Sequence, residues 1–335
     1  MSQSQPVVLT AGYDAVVVAS PIFSNQNSPN IKNISTSVSQ VNRIVVAPDN
    51  RVALATNPYV LIYDIFKQTR FQYNGHSTNV TDIIFAKDYI YTCSEDRTWR
   101  IWGGQQQCLK KVQTGSALNA IALTQDSRYI FTANEKGQVE MYDTKSTMNK
   151  AIATIKLAQP PIRSIALSQD NKRLIAACHD GTLFVLGINL SASSGSTSSN
   201  SSPSPASPAL STTNISSSSS SSLSNSIFTE ICRFEAHNDV ILRCAISPDQ
   251  KTFITTSADS TAKIWDFENY QLKFTLTDPT QEKWIWDAAY TRDSQYVVTA
   301  GTDKTCRTWS LKDGTKVASS NSHSKGITAL ALFYS

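Results

Sequence analysis

Along most of this chain apolar and polar positions alternate with a period of two, in runs too short for helices and closely spaced by turn residues. The clearest stretch is 241–266, ILRCAISPDQKTFITTSADSTAKIWD. Its three runs, ILRCAIS, TFITTSA and TAKIWD, are rich in β-branched and aromatic residues. They are separated at Pro248-Asp249 and Asp259-Ser260. Such alternation predicts three half-buried strands joined by tight turns. The same order returns in 285–310, IWDAAYTRDSQYVVTAGTDKTCRTWS, with turns at Asp293 and Asp303 and Trp309 where Trp265 stood. From Trp265 to Trp309 is 44 residues, within the roughly 40–45 of a propeller-blade repeat that ends in Trp-Asp.

Further copies fill the chain. They cover 41–64, ending at Tyr63-Asp64; 75–103, ending at Trp102-Gly103; 118–143, ending at Tyr142-Asp143; and 162–187, with Leu186-Gly187 in the last place. The intervals 63 to 102, 102 to 142 and 142 to 186 are 39, 40 and 44, but 186 to 265 is 79. Residues 191–226 account for the excess: 20 of these 36 are Ser, none is charged, and removing them leaves 43. This composition buries too little apolar surface to offset its ordering entropy. The segment is therefore expected to be a disordered insertion between the third and fourth strands of one repeat. Residues 7–18 match a second and third strand, while His323 and 327–332 supply a first strand with nothing after it. An outer strand is expected around 31–36. The two ends complete one blade, and the count becomes seven. The prediction is an all-β, seven-bladed propeller over 1–335, closed by its own termini.

Composition excludes several classes. Net charge is +4, and no Lys/Arg run exceeds Lys110-Lys111, so a nucleic-acid footprint is not expected. The first residues do not read as a secretory signal, and no apolar run approaches about 18 residues. Membrane insertion is thus not expected. The six cysteines form no CxxC pair and read as buried small hydrophobes of a reducing compartment. The sequons at Asn33, Asn79 and Asn214 then read as chance.

His237, Ser257 and Asp259 have the residue types of a hydrolase triad. However, His76, Ser94, Asp96 and Trp102 repeat the pattern His237, Ser257, Asp259, Trp265 one set earlier. Duplication favours a structural network inside each blade, with the His bridging the turn Asp and the strand Ser, and the Trp donating from strand three. Elsewhere the set is partial: Asp303 and Trp309 occur with Gly301 in the Ser place, and Asp180 without the Trp. His76, His237 and His323 head different repeats, so convergence on a metal is not expected. No GxGxxG, P-loop or HExxH occurs. The expectation is a protein without catalytic residues, metal or cofactor.

Binding is expected on the face where the inner strands begin. The first buried aliphatics are Val41, Val80, Leu118, Ile162, Ile241, Ile285 and Ile327, and their flanks are Gln40/Asn42, Asn79/Thr81, Ala117/Asn119, Pro161/Arg163, Val240/Leu242, Trp284/Trp286 and Gly326/Thr328. Trp284 and Trp286 are the aromatic anchors typical of interface hot spots. The plainer reading is that one of them packs under the preceding loop. Gln40 and Asn42 add amide groups on the same rim.

TAGYD near the N-terminus, SQVN before 41, FEAH followed by RCAISPD and SADSTAKIWD, then WIWDAAY and DSQYVVTA go beyond a generic repeat. Together they resemble the small TOR-kinase subunit family known as G-protein-β-like or "Lst-eight". The likeness covers nearly all of the chain outside the Ser-rich segment. It implies a non-enzymatic propeller in the cytoplasm that binds and stabilises the TOR kinase catalytic domain within TOR complexes, beside the other subunits, and reaches endomembranes through the complex. It also implies that Gln40, Trp284 and Trp286 match the kinase-docking rim; Asn42 follows from the blade alignment alone. Leu186-Gly187, Trp102 followed by Gly103, and the insertion depart from the family pattern. The insertion should lie on the opposite face and leave docking unaffected. The competing expectation is another propeller adaptor, such as a ubiquitin-ligase substrate receptor, which would carry an accessory motif outside the blades. A G-protein β subunit would carry a coiled-coil helix ahead of Val7, and an enzyme would need polar residues clustered in the channel.

Overall fold

Strand order in each sheet follows burial. Second strands such as Tyr129–Asn134 and Thr252–Ser257 are buried almost throughout, because a neighbouring sheet covers each of their faces. Fourth strands such as Thr69–Tyr73 and Leu272–Leu276 are largely exposed. The chain was analysed as a computed structural model that describes residues 6–23, 33–36, 40–47, 49–65, 67–194, 227–280 and 283–334. The described residues form seven four-stranded antiparallel sheets.

Six blades are consecutive meanders, here blade 2 (43–73), blade 3 (80–113), blade 4 (118–156), blade 5 (162–235), blade 6 (241–276) and blade 7 (285–320). Blade 1 takes its inner strand, Ile327–Tyr334, from the C-terminus and its next strands, Pro6–Gly12 and Val16–Pro21, from the N-terminus. Pro6 pairs with Tyr334 and Ala11 with Ala329. The inner strand of blade 1 packs against those of blades 7 and 2, so the ring closes. Apolar clusters lie between successive blades; one joins Trp265 and Phe253 of blade 6 to Ile175 and Leu183 of blade 5. The outer strand expected around 31–36 is the two-residue Ile34–Ser35.

The turns use the residues that marked them. Asp249 accepts from Ser247 Oγ at 2.6 Å and from Lys251 N at 3.1 Å. This pays the strain of the left-handed Gln250 beside it (φ 59°). The flanks of the Ser-rich segment, Thr182–Ile188 and Phe228–Glu235, are the third and fourth strands of blade 5. Asn189 N donates to Ile227 O at 2.9 Å, and Leu190–Ser194 forms a 3-10 turn. The start of the segment expected to be disordered is therefore ordered; its remainder, 195–226, lies outside the described residues.

Candidate functional site

Six inner strands share one irregularity. In blades 3 to 7 the register shifts immediately after the first aliphatic, as between Val80 and Asp82 or Ile285 and Asp287. Blade 1 shifts at Gly12, opposite Ile327. Such a bulge leaves one residue unpaired and re-aims its side chain. Side chains at this level join blades, both from bulged strands and from the regularly paired blade 2. Asn42 Nδ2 donates to Val80 O (2.8 Å), Thr81 Oγ1 to Leu118 O (2.9 Å), Asn119 Nδ2 to Ile162 O (3.0 Å) and Thr328 Oγ1 to Val41 O (2.6 Å). In each bond the acceptor is the first aliphatic of the next blade.

The corresponding residues in blades 5 to 7 make no such bond. Arg163 turns to His179 Nδ1 (3.0 Å) and Glu135 (3.3 Å), and Leu242 is apolar. Trp286 has a buried indole N–H without a hydrogen-bond partner. This half of the face is where the aromatic pair sits. Trp284 is 45% exposed, and its ring lies 5.5 Å from that of the half-buried Trp286, tilted by 59°. Its carbonyl accepts from Thr302 N at 3.0 Å, which fixes the backbone that presents it.

Gln40, Asn42, Trp284 and Trp286 line one cavity of about 300 Å³ at the channel mouth. The structure thus brings the four rim residues together, with unequal freedom. Asn42 is engaged on both sides, since Gln40 Nε2 donates to its Oδ1 at 2.8 Å and its own amide holds Val80. Gln40 Oε1 and the face of Trp284 are what this rim offers outward.

Beneath the rim lies a feature the sequence reading missed. Two residues past the first aliphatic stand Arg43, Asp82, Arg243 and Asp287, on the inner strands of blades 2, 3, 6 and 7. Both carboxylate oxygens of Asp287 accept from Arg43 Nη1 (3.0 and 2.8 Å). Arg43 also lies 3.5 Å from Asp82, Arg243 3.5 Å from Asp287, and Arg243 3.9 Å from Asp82. Burial and the Arg243 charge push the Arg43 guanidinium pKa down. Burial also opposes the charge on Arg243, but Asp82 and Asp287 outweigh it and its pKa rises. The first-aliphatic alignment already placed all four at one level; reading only the flanking positions left them out.

The repeated quartets are internal to their blades. His76 Nδ1 meets Asp96 Oδ2 at 2.8 Å, His76 Nε2 meets Thr92 Oγ1 at 2.8 Å, and Trp102 Nε1 donates to Thr92 Oγ1 at 2.9 Å. His237, Asp259, Thr255 and Trp265 repeat this at 2.9, 2.7 and 2.9 Å. This corrects the role given to Ser94 and Ser257: the bridging hydroxyl belongs to the Thr two residues earlier. The Thr faces the same way but lies deeper in the strand, opposite the rings. Ser94 and Ser257 sit at the strand end and accept from Asp96 N and Asp259 N, each at 3.0 Å. Burial disfavours the Asp96 carboxylate, but hydrogen bonds from His76 and Thr98 hold its pKa well below the usual range. Asp259 is held low in the same way by His237 and Thr261. Among the described residues no group of His, Cys, Asp and Glu could hold a metal ion. All six cysteines are free, and burial pushes the Cys178 and Cys306 thiols up to about 12.

Comparison with known proteins agrees with this geometry. The family "WD domain, G-beta repeat" matches residues 67–103, 150–185, 228–266 and 271–310. Each match runs from the outer strand of one blade through the third strand of the next. The target of rapamycin complex subunit wat1 of Schizosaccharomyces pombe is 27% identical over 80% of this chain and 76% of its own. The Protein LST8 homolog of Drosophila pseudoobscura pseudoobscura is 26% identical over 98% and 96%, and the target of rapamycin complex subunit LST8 of Mus musculus 27% over 84% and 81%. The chain is a propeller with WD repeats, similar to the Lst8 proteins.

WD-repeat chemistry extends to the blade shared by the termini. His323 Nε2 meets Thr10 Oγ1 at 2.8 Å and His323 Nδ1 meets Asp14 at 3.0 Å, across more than 300 residues of chain. Ser20 stands where the Trp would be and meets Ser322 Oγ at 3.2 Å. In blade 7, Trp309 Nε1 donates to Thr299 Oγ1 at 2.9 Å. The Gly301 that seemed to break that set therefore breaks only the end-of-strand cap. In each of these blades a Thr stands four residues before the turn Asp, and ten before the Trp where a Trp is present, a signal that reading for Ser passed over.

Proposed function

We propose that this protein is a non-enzymatic subunit of target of rapamycin complexes, and that its rim binds and stabilises the catalytic domain of the TOR kinase. The carrying observation is the exposed Trp284 with its ring 5.5 Å from that of Trp286, beside Gln40, in a chain matched along 96% of an LST8 homologue. An apolar anchor flanked by a free amide oxygen suits a helix or peptide whose side chains cover the indoles while a polar group meets Gln40. In this reading Asn42 positions Gln40 rather than touching the kinase. The Ser-rich insertion joins strands whose 3–4 connection lies on the face away from the rim, so docking proceeds in its presence. A cytoplasmic location, with recruitment to endomembranes through the complex, goes with the same role; among the described residues no helix is long and apolar enough to cross a membrane.

The test is affinity purification of the tagged protein from its own cells beside a Trp284→Ala/Trp286→Ala variant. A very large kinase of the phosphatidylinositol-3-kinase-like type should co-purify with the wild type. It should be lost from the variant while circular dichroism shows the variant folded. Recovery of a ubiquitin ligase without the kinase would overturn the assignment and leave the propeller.

A further inference from the structure

The four charges in the channel form a closed circuit in which signs alternate, Arg43–Asp82–Arg243–Asp287, with edges of 3.5, 3.9, 3.5 and 2.8 Å. Seven inner strands cannot alternate in sign around a ring. Four carry charge here, and the same level is filled by Ala120, Ser164 and Ala329 in the other three. Those small residues leave room for the two arginines to reach across. The square is nearly dry: Asp82 and Asp287 are buried, while the arginine side chains keep 18% and 17% exposure. It separates the rim cavity from a second cavity of about 390 Å³ at the other channel mouth, lined by apolar inner-strand residues such as Val45 and Phe85.

We propose that this square positions the docking rim by fixing the two walls of its cleft relative to one another. Arg43 directly follows Asn42, which holds Gln40; Asp287 directly follows Trp286. Between them lies only the inner strand of blade 1, where the chain ends meet without a covalent link. Arg43 reaches past Ala329 to grip Asp287 with two contacts. Asp287 in turn accepts from Leu330 N at 3.0 Å and Ala288 N at 2.9 Å. Three inner strands on this side of the rim thus converge on one carboxylate. Each charge has two neighbours of opposite sign, so displacement of either wall lengthens two ion pairs in a water-poor site, where separation is expensive. The square touches no partner; it acts through Trp286 and Gln40. The inference rests on the reading of this face as the docking surface.

A spectroscopic readout separates positioning from mere stability. Two indoles at this distance and tilt couple excitonically and give a paired far-ultraviolet dichroism signal, which Trp284→Phe assigns by abolishing it. Asp287→Asn keeps an oxygen for Leu330 N and removes the charge; Arg43→Lys keeps the charge and removes the guanidinium that meets Asp287 through Nη1 and Asp82 through Nε together. Measured well below melting, both should lose at least half of the couplet and show increased iodide quenching of tryptophan emission, and the kinase should co-purify at least about tenfold less. Should Asp287→Asn fail to fold, Arg43→Lys, which leaves the channel neutral, decides alone. A couplet and quenching of wild-type size in folded Arg43→Lys would overturn the proposal. Absence of the kinase from the wild-type preparation would instead sink the docking reading, and the couplet would still report whether the square sets the rim.

Discussion

Thr255 shows how much one hydroxyl carries. It meets His237 and receives the Trp265 N–H, so its loss strands two buried ring nitrogens at once. Thr255→Val should lower unfolding free energy by roughly 2–6 kcal/mol, at about 1–3 for each unsatisfied group. Ser257→Ala removes a single turn cap and should lower it by only about 1 kcal/mol. Urea titration of the two variants checks the ranking, and equal losses would return the bridging role to Ser257. Acid acts on the same networks. His76 is kept neutral chiefly by burial, so its folded pKa is depressed. Below about pH 6.5 the unfolded state takes up a proton that the folded state resists. Asp96 and Asp259 are likewise depressed. Their stabilisation is present above the unfolded value of about 4 and is lost as pH falls through the folded values. Stability should therefore decline from about pH 6.5 downward and more steeply below about pH 4. Denaturant midpoints across that range read it directly, and a midpoint that rises on acidification would contradict it. At this scale the sequence was legible to the level of residue type: the His, Asp and Trp were found. The choice between Thr and Ser was missed because both lie on the same face of the strand, and only depth distinguishes them.

Among elements, the strand junction at Gly12 is the least forgiving. A Cβ there would lie 2.0 Å from Gly326 O, a backbone atom that cannot step aside without breaking the pairing of the two chain ends. Gly12→Ala should destabilise by more than about 2 kcal/mol through overpacking, whereas Gly104→Ala, which meets nothing within 4 Å, should change stability by less than about 0.5 kcal/mol. Thermal melts of both variants test the contrast. Strand order within a repeat was legible because burial on two faces, one face or neither leaves distinct alternation. The bulges were not, since they arise from the meeting of inner strands at the channel. At that level the side chain's own hydrogen-bonding group decides whether it locks blades or is left for a partner. That is why Asn42 and Trp286, equivalent in alignment, differ in what they can do.

For the whole molecule, closure is noncovalent and depends on both ends. The Ser-rich connection starts and ends on strands already held together at Asn189 and Ile227, so the ring does not require it. Replacing residues 195–226 with six residues of Gly and Ser should leave a folded propeller. Shortening 32 residues to six should stabilise it by about 1.5 kcal/mol, since each halving of a flexible loop is worth roughly 0.6. Calorimetry on the shortened protein checks this, and loss of cooperative melting would show that the segment contributes to the fold. The sequence by itself determined the repeat, the number of blades, the strand-to-strand turns and the sharing of one blade between the termini. Each of these is written in local periodicity and in residues with fixed backbone preferences. Tertiary structure alone decided which hydroxyl completes each buried network, which rim side chains remain free, and that four charges from separate blades meet in the channel. Those outcomes depend on contacts between residues 10 to 313 apart in sequence, and the alternation of apolar and polar positions does not encode which of them meet.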